Sequence, residues 1–423
     1  MSAFAVKAHI LHSRNPNQIE ILENGSLVVE NGICIGCFPE LPPAFALIPI
    51  EDFGDRLLIP GMNDLHLHAP QFSYRGLGMD MELLDWLNTY AFPEEAKFRD
   101  LSYAERAYQI FTEHLKRSFT TRASIFATIH VPATLKLMEL LEASGLQTFV
   151  GKVNMDRLSP DDLREESAEQ AVKDTEHWIV ESLSRFQNTK PIITPRFIPS
   201  VTDTLLQGLK TLQRRYNLPT QSHLSENRGE IRLVSELCPE ARFYGDAYDR
   251  FGMFGSDHSC IMAHCVHSGE EELERMKQNG VYIAHSPESN MNLGSGVAPV
   301  SRYLEMGLHV GLATDVAGGS HESMLRAITH ALQASRLRWS LLDPDVKPLT
   351  VDQGFYLATA GGGSFFGKVG RFAPGYAFDA LVLDDSALDH PQQLSVRSRL
   401  ERFLFLGDER CIHAKYVAGK RLI

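Results

Sequence analysis

Cysteine is scarce: six residues in 423 cannot build a disulfide framework, so reduced thiols in a cytoplasmic setting are expected. Cys34 and Cys37 form one C-x-x-C, but no second pair stands at zinc-finger spacing, and the pair reads as small buried hydrophobes. Long apolar runs are missing too. No stretch of about 18 apolar residues occurs, which argues against a membrane span, and MSAFAVKAHILHSRNPNQ lacks the basic-then-apolar order of a secretory signal. Basic charge is in deficit, 41 Lys and Arg against 53 Asp and Glu, for a formal charge of −12. A chain of that sign is a poor partner for phosphate backbones, so no nucleic-acid partner is expected. Internal repeats and low-complexity tracts are absent, and 43% hydrophobic with 22% charged residues excludes general disorder.

What is present is ordered by position. The first 58 residues read as short extended runs with turn punctuation, such as Ser26 to Glu30 before Asn31-Gly32, which is hairpin chemistry. Asp379 to Asp384 and Tyr416 to Leu422 read alike. Residues 1–58 plus 373–423 are therefore expected to form one small β-sandwich domain built from both termini. Between them, residues 59–372 alternate strand-like and helix-like stretches, the pattern of parallel βα units. Candidate strands are Leu57 to His68, Thr121 to Ile129, Thr148 to Asn154, Pro191 to Phe197, Thr220 to Glu226, Cys260 to Val266, Val281 to Ser286 and Val310 to Asp315. Candidate helices include Ser102 to Ser118, Glu165 to Phe186, Thr204 to Tyr216 and Gly269 to Asn279. The expected fold is α/β, a (β/α)8 TIM barrel with the small domain attached.

Barrel enzymes place their chemistry at the C-terminal ends of the strands. Here those ends are polar: His66 and His68, Arg196, His223 and Glu226, His264, His285 and Asp315. In a strand, residues i and i+2 share a face, so His66 and His68 both point into the barrel mouth. A lone His-x-His also suits two satisfied histidines. With His223 and Asp315 on other strand ends, the set becomes three imidazoles and a carboxylate, suited to zinc with one open position. Glu226, three residues after His223, is the candidate proton carrier; the plainer alternative is a helix cap or salt bridge. His264 is a candidate for hydrogen bonding to the reacting hydroxyl, or else a satisfied core histidine. Two-metal barrels often bridge their ions with a lysine near the end of the fourth strand. That neighbourhood reads Pro195-Arg196-Phe197, and the nearest lysine, Lys152, lies in the third strand, so one metal per chain is expected.

Pro60 to His68, Gln221 to Glu226, Met262-Ala263-His264 and Ala313-Thr314-Asp315 resemble the amidohydrolase superfamily. More narrowly, His68-Ala69-Pro70-Gln71, Leu83 to Leu87 with Tyr90 to Glu94, Phe126 to His130, Thr194 to Phe197 and Gly311 to Gly319 resemble its guanine deaminases. The resemblance runs from about residue 55 to the C-terminus. It implies zinc-dependent hydrolytic deamination of guanine to xanthine and ammonia by a cytoplasmic homodimer, and the charge balance and lack of long apolar runs add that no nucleic acid or membrane is expected as partner. Position by position, His66, His68, His223 and Asp315 are similar to the zinc ligands, Glu226 to the proton shuttle and His264 to the active-site histidine. Gln71, Arg196 and Phe197 are similar to the base-binding residues, alongside the ligands His68 and His223 and the shuttle Glu226. A guanidinium fork matches the adjacent O6 and N7 acceptors of guanine, while a rim salt bridge is the plainer use of Arg196. Trp86, Tyr90 and Phe92 are candidates for an aromatic wall or for plain core. Ser118-Phe119 and Arg122 depart from the family pattern. The rival readings are another deaminase or dechlorinase of the superfamily, acting on a pterin, triazine or adenine-like compound, and a catalytically dead scaffold.

Overall fold

The computed structural model describes residues 3–423. Four strands come first: β1 (Phe4–Asn15), β2 (Gln18–Glu30), β3 (Ile33–Phe38) and β4 (Ile50–Pro60). Asn31 and Gly32 both take left-handed conformations between β2 and β3, as a two-residue hairpin turn requires. The run Leu57 to His68, expected as one strand, is two. Leu57 to Pro60 pair with Ala380–Leu383 in the small sheet, Gly61 donates its N–H to the Asp379 carbonyl, and β5 (Met62–His68) then starts the barrel.

The barrel continues through β6 (Thr120–Phe126), β7 (Gln147–Gly151), β8 (Val153–Asn154), β9 (Thr189–Pro191), β10 (Thr194–Pro195), β11 (Thr220–Leu224), β12 (Cys260–His264), β13 (Tyr282–His285) and β14 (His309–Leu312). β7 and β8 are two halves of one stave, as are β9 and β10, so the expected third and fourth strands are each interrupted. All pairings are parallel, β5-β6-β7-β9, β8-β10 and β11-β12-β13-β14. A bridge from Ile193 to Thr220 joins the halves, and Asp315 N–H to His66 O at 2.9 Å closes the ring. Leu65, Ile192, Ile261, Ala263, Ala284 and Ala313 fill its floor, with Phe365 packed among them.

Helices form where side-chain caps start them. Asp100 accepts from Ser102 and Tyr103 N–H ahead of Leu101–Arg117, and Thr202 accepts from Leu205 N–H ahead of Asp203–Tyr216. The helix expected from Glu165 begins only at Ala168, because Ser167 caps it and Glu165 turns aside to pair with Lys152. Glu270–Asn279 ends on left-handed Gly280.

The last strands, β15 (Ala380–Leu383), β16 (Ile412–Val417) and β17 (Lys420–Arg421), return to the first four. The result is one seven-stranded sheet, β17-β16-β15-β4-β1-β2-β3, where two layers were expected. The sheet rolls over its own face, because Val6, Leu27, Cys34, Leu58, Val382, Ala414 and Tyr416 of six strands meet in one apolar cluster with Phe372 and Phe378. Gly32 and Gly419 allow its ends to approach, with an ideal Cβ on Gly419 falling 2.4 Å from Gly32 Cα. Cys34 lies in that cluster, and burial pushes the Cys37 thiol up to about 12, as expected of inert hydrophobes.

The positions that depart from the family pattern carry the join between sheet and barrel. Arg122 of β6 pairs with the fully buried Asp379 at 2.5 Å. The buried Lys415 of β16 donates from Nζ to the carbonyls of Lys116, Ser118 and Thr120 at 2.8, 2.8 and 2.6 Å. Lys415→Met keeps most of the volume and removes every donor, so it is expected to lower stability by about 2–3 kcal/mol. Urea unfolding measures this, and an unshifted midpoint would discard the latch.

Candidate active site

The C-terminal mouth of the barrel is assembled by local devices. The register of β5 against β6 slips between Asp64 and Leu67, which lets Leu65 fill the floor while His66 and His68 stand above it. Asp64 braces this bend, accepting from Thr314 Oγ1, Thr314 N–H and His66 N–H and so tying β5 to the end of β14. In β12, Ile261 and Ala263 occupy the barrel floor, so strict alternation would send His264 outward. A left-handed backbone at His264 (φ 71°) reverses that. Asp315 also sits left-handed (φ 49°), its carbonyl accepting from Gly319 N–H at 2.7 Å. An ideal Cβ on Gly319 would fall 2.0 Å from the Thr314 carbonyl oxygen, so only glycine fits this turn.

Four of the expected side chains converge. His66 Nε2 lies 3.1 Å from Asp315 Oδ1, His68 Nε2 lies 3.6 Å from the same oxygen, and His68 Nε2 lies 3.2 Å from His223 Nε2. His66 Nδ1 has no hydrogen-bond partner and Nε2 faces only the Asp315 carboxylate, although the residue is buried. Burial lowers the pKa of His66, and burial with the neighbouring imidazoles lowers His68 and His223 well below the usual range, so all three stand neutral. Burial alone would raise the Asp315 carboxyl, but the facing His66, His264 and His68 hold it well below the usual carboxylate range. His223 donates from Nδ1 to the Arg196 carbonyl at 2.6 Å, which leaves the Nε2 lone pair facing the cluster. Neutral imidazole nitrogens and a carboxylate oxygen crowded around one point fit a divalent ion.

His264 lies within the same group by distance. Its Nδ1 donates to Asn290 Oδ1 at 2.9 Å, and its Nε2 stands 3.5 Å from Glu226 Oε2 and 3.7 Å from Asp315 Oδ2. Burial lowers its pKa, but Glu226 and Asp315 outweigh burial and raise it, so His264 is placed as a proton donor between two carboxylates. Glu226 does not cap the helix that follows. Asn227 and Glu230 form a reciprocal capping box there. The Glu226 carboxylate is left in the cavity, Oε1 accepting from Ser295 Oγ at 3.1 Å.

His68, His223, Glu226, His264 and Asp315 line a cavity of about 440 Å³ that opens to solvent, together with Gln71, Arg196 and Phe197. Its apolar walls are Leu83, Trp86, Leu87 and Leu293. Of the three aromatics considered above, only Trp86 reaches the cavity. Tyr90 stacks on Tyr74, and Phe92 lies beneath the Arg196 guanidinium at 5.2 Å. Arg196 is not free. Its two terminal nitrogens clasp the carboxylate of Glu95 at 2.5 and 3.0 Å, and Gln71 Nε2 donates to the same carboxylate at 2.8 Å. The fork expected to span O6 and N7 of a base is therefore closed on Glu95, leaving the other N–H groups of Arg196 for a ligand. His285 and His130 do not line the cavity; burial pushes them down to about 3 and about 4, and both are neutral. Lys152, in the third stave, is taken by Glu165.

Sequence reasoning missed Glu95, Asn290, Ser295 and Asp64. Asp64 carries a signal, lying in the same strand as His66 and His68, whereas Glu95 acts on a partner 101 positions away and leaves no spacing to read.

The amidohydrolase family model matches residues 57–422. The chain is 39% identical to guanine deaminase of Mus musculus over 382 residues, covering 87% of this chain and 83% of that one. It is 32% identical to guanine deaminase of Escherichia coli (strain K12), covering 96% and 93%. Among solved structures it is similar to guanine deaminase from C. acetobutylicum with bound guanine, with 43% identity, a TM-score of 0.97 and full coverage of both chains. A triazine hydrolase variant, 17% identical with a TM-score of 0.86 and covering 100% of this chain and 95% of that one, shares the fold.

Proposed function

The chain belongs to the amidohydrolase family, and from that premise we propose that it is the member that hydrolyses guanine to xanthine and ammonia. The observation that carries the reading is one cavity that joins a metal-type donor set, a carboxylate free to move protons and a wall of N–H donors. His66, His68, His223 and Asp315 would hold one zinc ion per chain. When bound, such an ion supplies a water acidified toward neutrality, poised for attack on a ring carbon.

The rest falls to the side chains. Arg196 and Gln71 offer N–H groups to the edge that carries O6 and N7, and Phe197 and Trp86 enclose the base. Glu226 takes a proton at its carboxylate and delivers it to N3, which makes C2 electrophilic. As the C2–O bond forms, His264 donates a hydrogen bond to the new hydroxyl oxygen, and Asp315 takes the hydroxyl proton and passes it to the departing amino group. The C2–N bond then breaks, and guanine plus water become xanthine plus ammonia. In this reading residues 59–372 form the catalytic barrel, and residues 1–58 with 373–423 form the rolled-sheet domain that buttresses it.

A reducing, cytoplasmic home and a homodimer belong to the same proposal. Six free thiols support the first, and no helix among the described residues is long and apolar enough to cross a membrane. Light scattering tests the second. For the activity, purified chain loaded with zinc is expected to convert guanine and to leave pterins, triazines and adenine-like compounds at rates lower by at least about 10³-fold. A spectrophotometric panel measures this. A metal-loaded chain inert toward guanine would sink the reading, and turnover of a substrate lacking O6 that survives Arg196→Ala would replace it with the rival one.

A further inference from the structure

We propose that Glu95 is a positioning residue that sets substrate specificity, by locking Arg196 and Gln71 into a wall of hydrogen-bond donors. This rests on the guanine reading and deepens it. Glu95 is buried, and its two oxygens accept three hydrogen bonds, two from Arg196 and one from Gln71. Gln71 is held at its other end as well, since its Oε1 accepts from Ala317 N–H at 3.2 Å. The amide cannot turn over without placing its carbonyl against the Glu95 carboxylate and its NH2 against the Ala317 N–H. A guanidinium has no acceptor at all, so what Arg196 and Gln71 still offer the cavity is N–H.

The backbone explains how Glu95 comes to this position. Trp86 and Glu95 are nine residues apart, which in a regular α-helix puts them about 180° apart. Residues Leu87–Ala91 form a wide turn with bonds from i to i+5. That turn accommodates one extra residue and brings the two to within about 80°. One short segment thus supplies the Trp86 wall, the Phe92 ring under the guanidinium and the Glu95 counter-charge.

A donor wall accepts a ring edge that presents an oxo oxygen and a ring-nitrogen lone pair. It rejects the same ring carrying an amino group in place of the oxygen, because donors then face donors. The class selected is a 2-amino-6-oxopurine, and the class rejected is the 2,6-diaminopurine that carries the same leaving group.

In Glu95→Gln the amide turns one acceptor into a donor, directed at Arg196 or Gln71. Relative to the parent chain, the guanine KM is expected to rise about tenfold or more while kcat changes by less than about threefold, and the kcat/KM preference for guanine over 2,6-diaminopurine to fall at least about tenfold. Zinc content is expected to be unchanged. The double variant E95Q/R196M is expected to lose less preference than the two single losses multiplied, because Glu95 acts in part through Arg196 and in part through Gln71. An unchanged preference in E95Q, or equal losses on both substrates, overturns the proposal, as does a fully multiplicative loss in the double variant. Should E95Q fail to fold, E95M/R196M buries no unpaired charge and carries the comparison with R196M. Failure of the underlying guanine reading is distinct, because the zinc-loaded parent chain would then be inert toward guanine.

Discussion

Glu226→Gln is expected to bind zinc as the parent chain does and to deaminate guanine more slowly by at least about 10³-fold. The Glu226 carboxyl is buried, and burial pushes its pKa up to about 7, with His264 opposing the shift and Glu230 and Asp315 adding to it. A group poised there can take a proton from water and give it up to a weakly basic ring nitrogen at neutral pH. Glutamine keeps the shape and an oxygen for Ser295 Oγ, yet neither its oxygen nor its NH2 carries a proton across. Loss of turnover with metal and fold retained is thus the signature of a proton carrier. A variant that lost zinc would point instead to a structural part in the metal site. Xanthine formation, metal content and melting temperature measured on one preparation separate these outcomes, and full activity in the variant would remove Glu226 from the mechanism.

How far a sequence can be read depends on how local the cause is. His66 and His68 are visible because alternation along a strand is a local rule, and His223 and Asp315 because strand ends in βα units are visible too. His264 reaches the same point by breaking that rule, through a left-handed backbone that no residue type announces. The boundary between β4 and β5 was hidden for a related reason. Leu57 to His68 is continuously strand-like, and only pairing with residues more than 300 positions later draws the chain out of the small sheet at Pro60. Two layers were inferred from strands at both ends, but hydrogen bonding between β4 and β15 fuses the ends into one rolled sheet. Glu95 is the extreme case. Its role is set by the wide turn that precedes it and by a guanidinium on another stave, so nothing in the sequence around it marks it out.

Removing the metal is expected to abolish turnover reversibly. Chelated chain should regain its activity as zinc is restored, with the titration breaking at one ion per chain. The stoichiometry follows from the donors. Lys152, the nearest lysine that could bridge a second ion, is buried against Glu165, and no second cluster of metal-type donors stands apart from this one among the described residues. Stability should follow the titration. Without an ion, His68 Nε2 and His223 Nε2 stand 3.2 Å apart and can pair only if His68 carries its proton on Nε2, the nitrogen that must be bare to hold the metal. Zinc at a thousandfold excess over its Kd is expected to stabilise the fold by about 4 kcal/mol, read as a rise in melting temperature of several degrees. His66→Ala deletes an imidazole whose one close polar neighbour, the Asp315 carboxylate at 3.1 Å, belongs to the same donor set. It is expected to fold, to bind little zinc, to show no thermal rise on adding the ion, and to lose activity by at least about 10³-fold. A His66→Ala chain that still bound a full equivalent of zinc and shifted in melting temperature would move the ion elsewhere, with His264 in place of His66 as the first ligand to test.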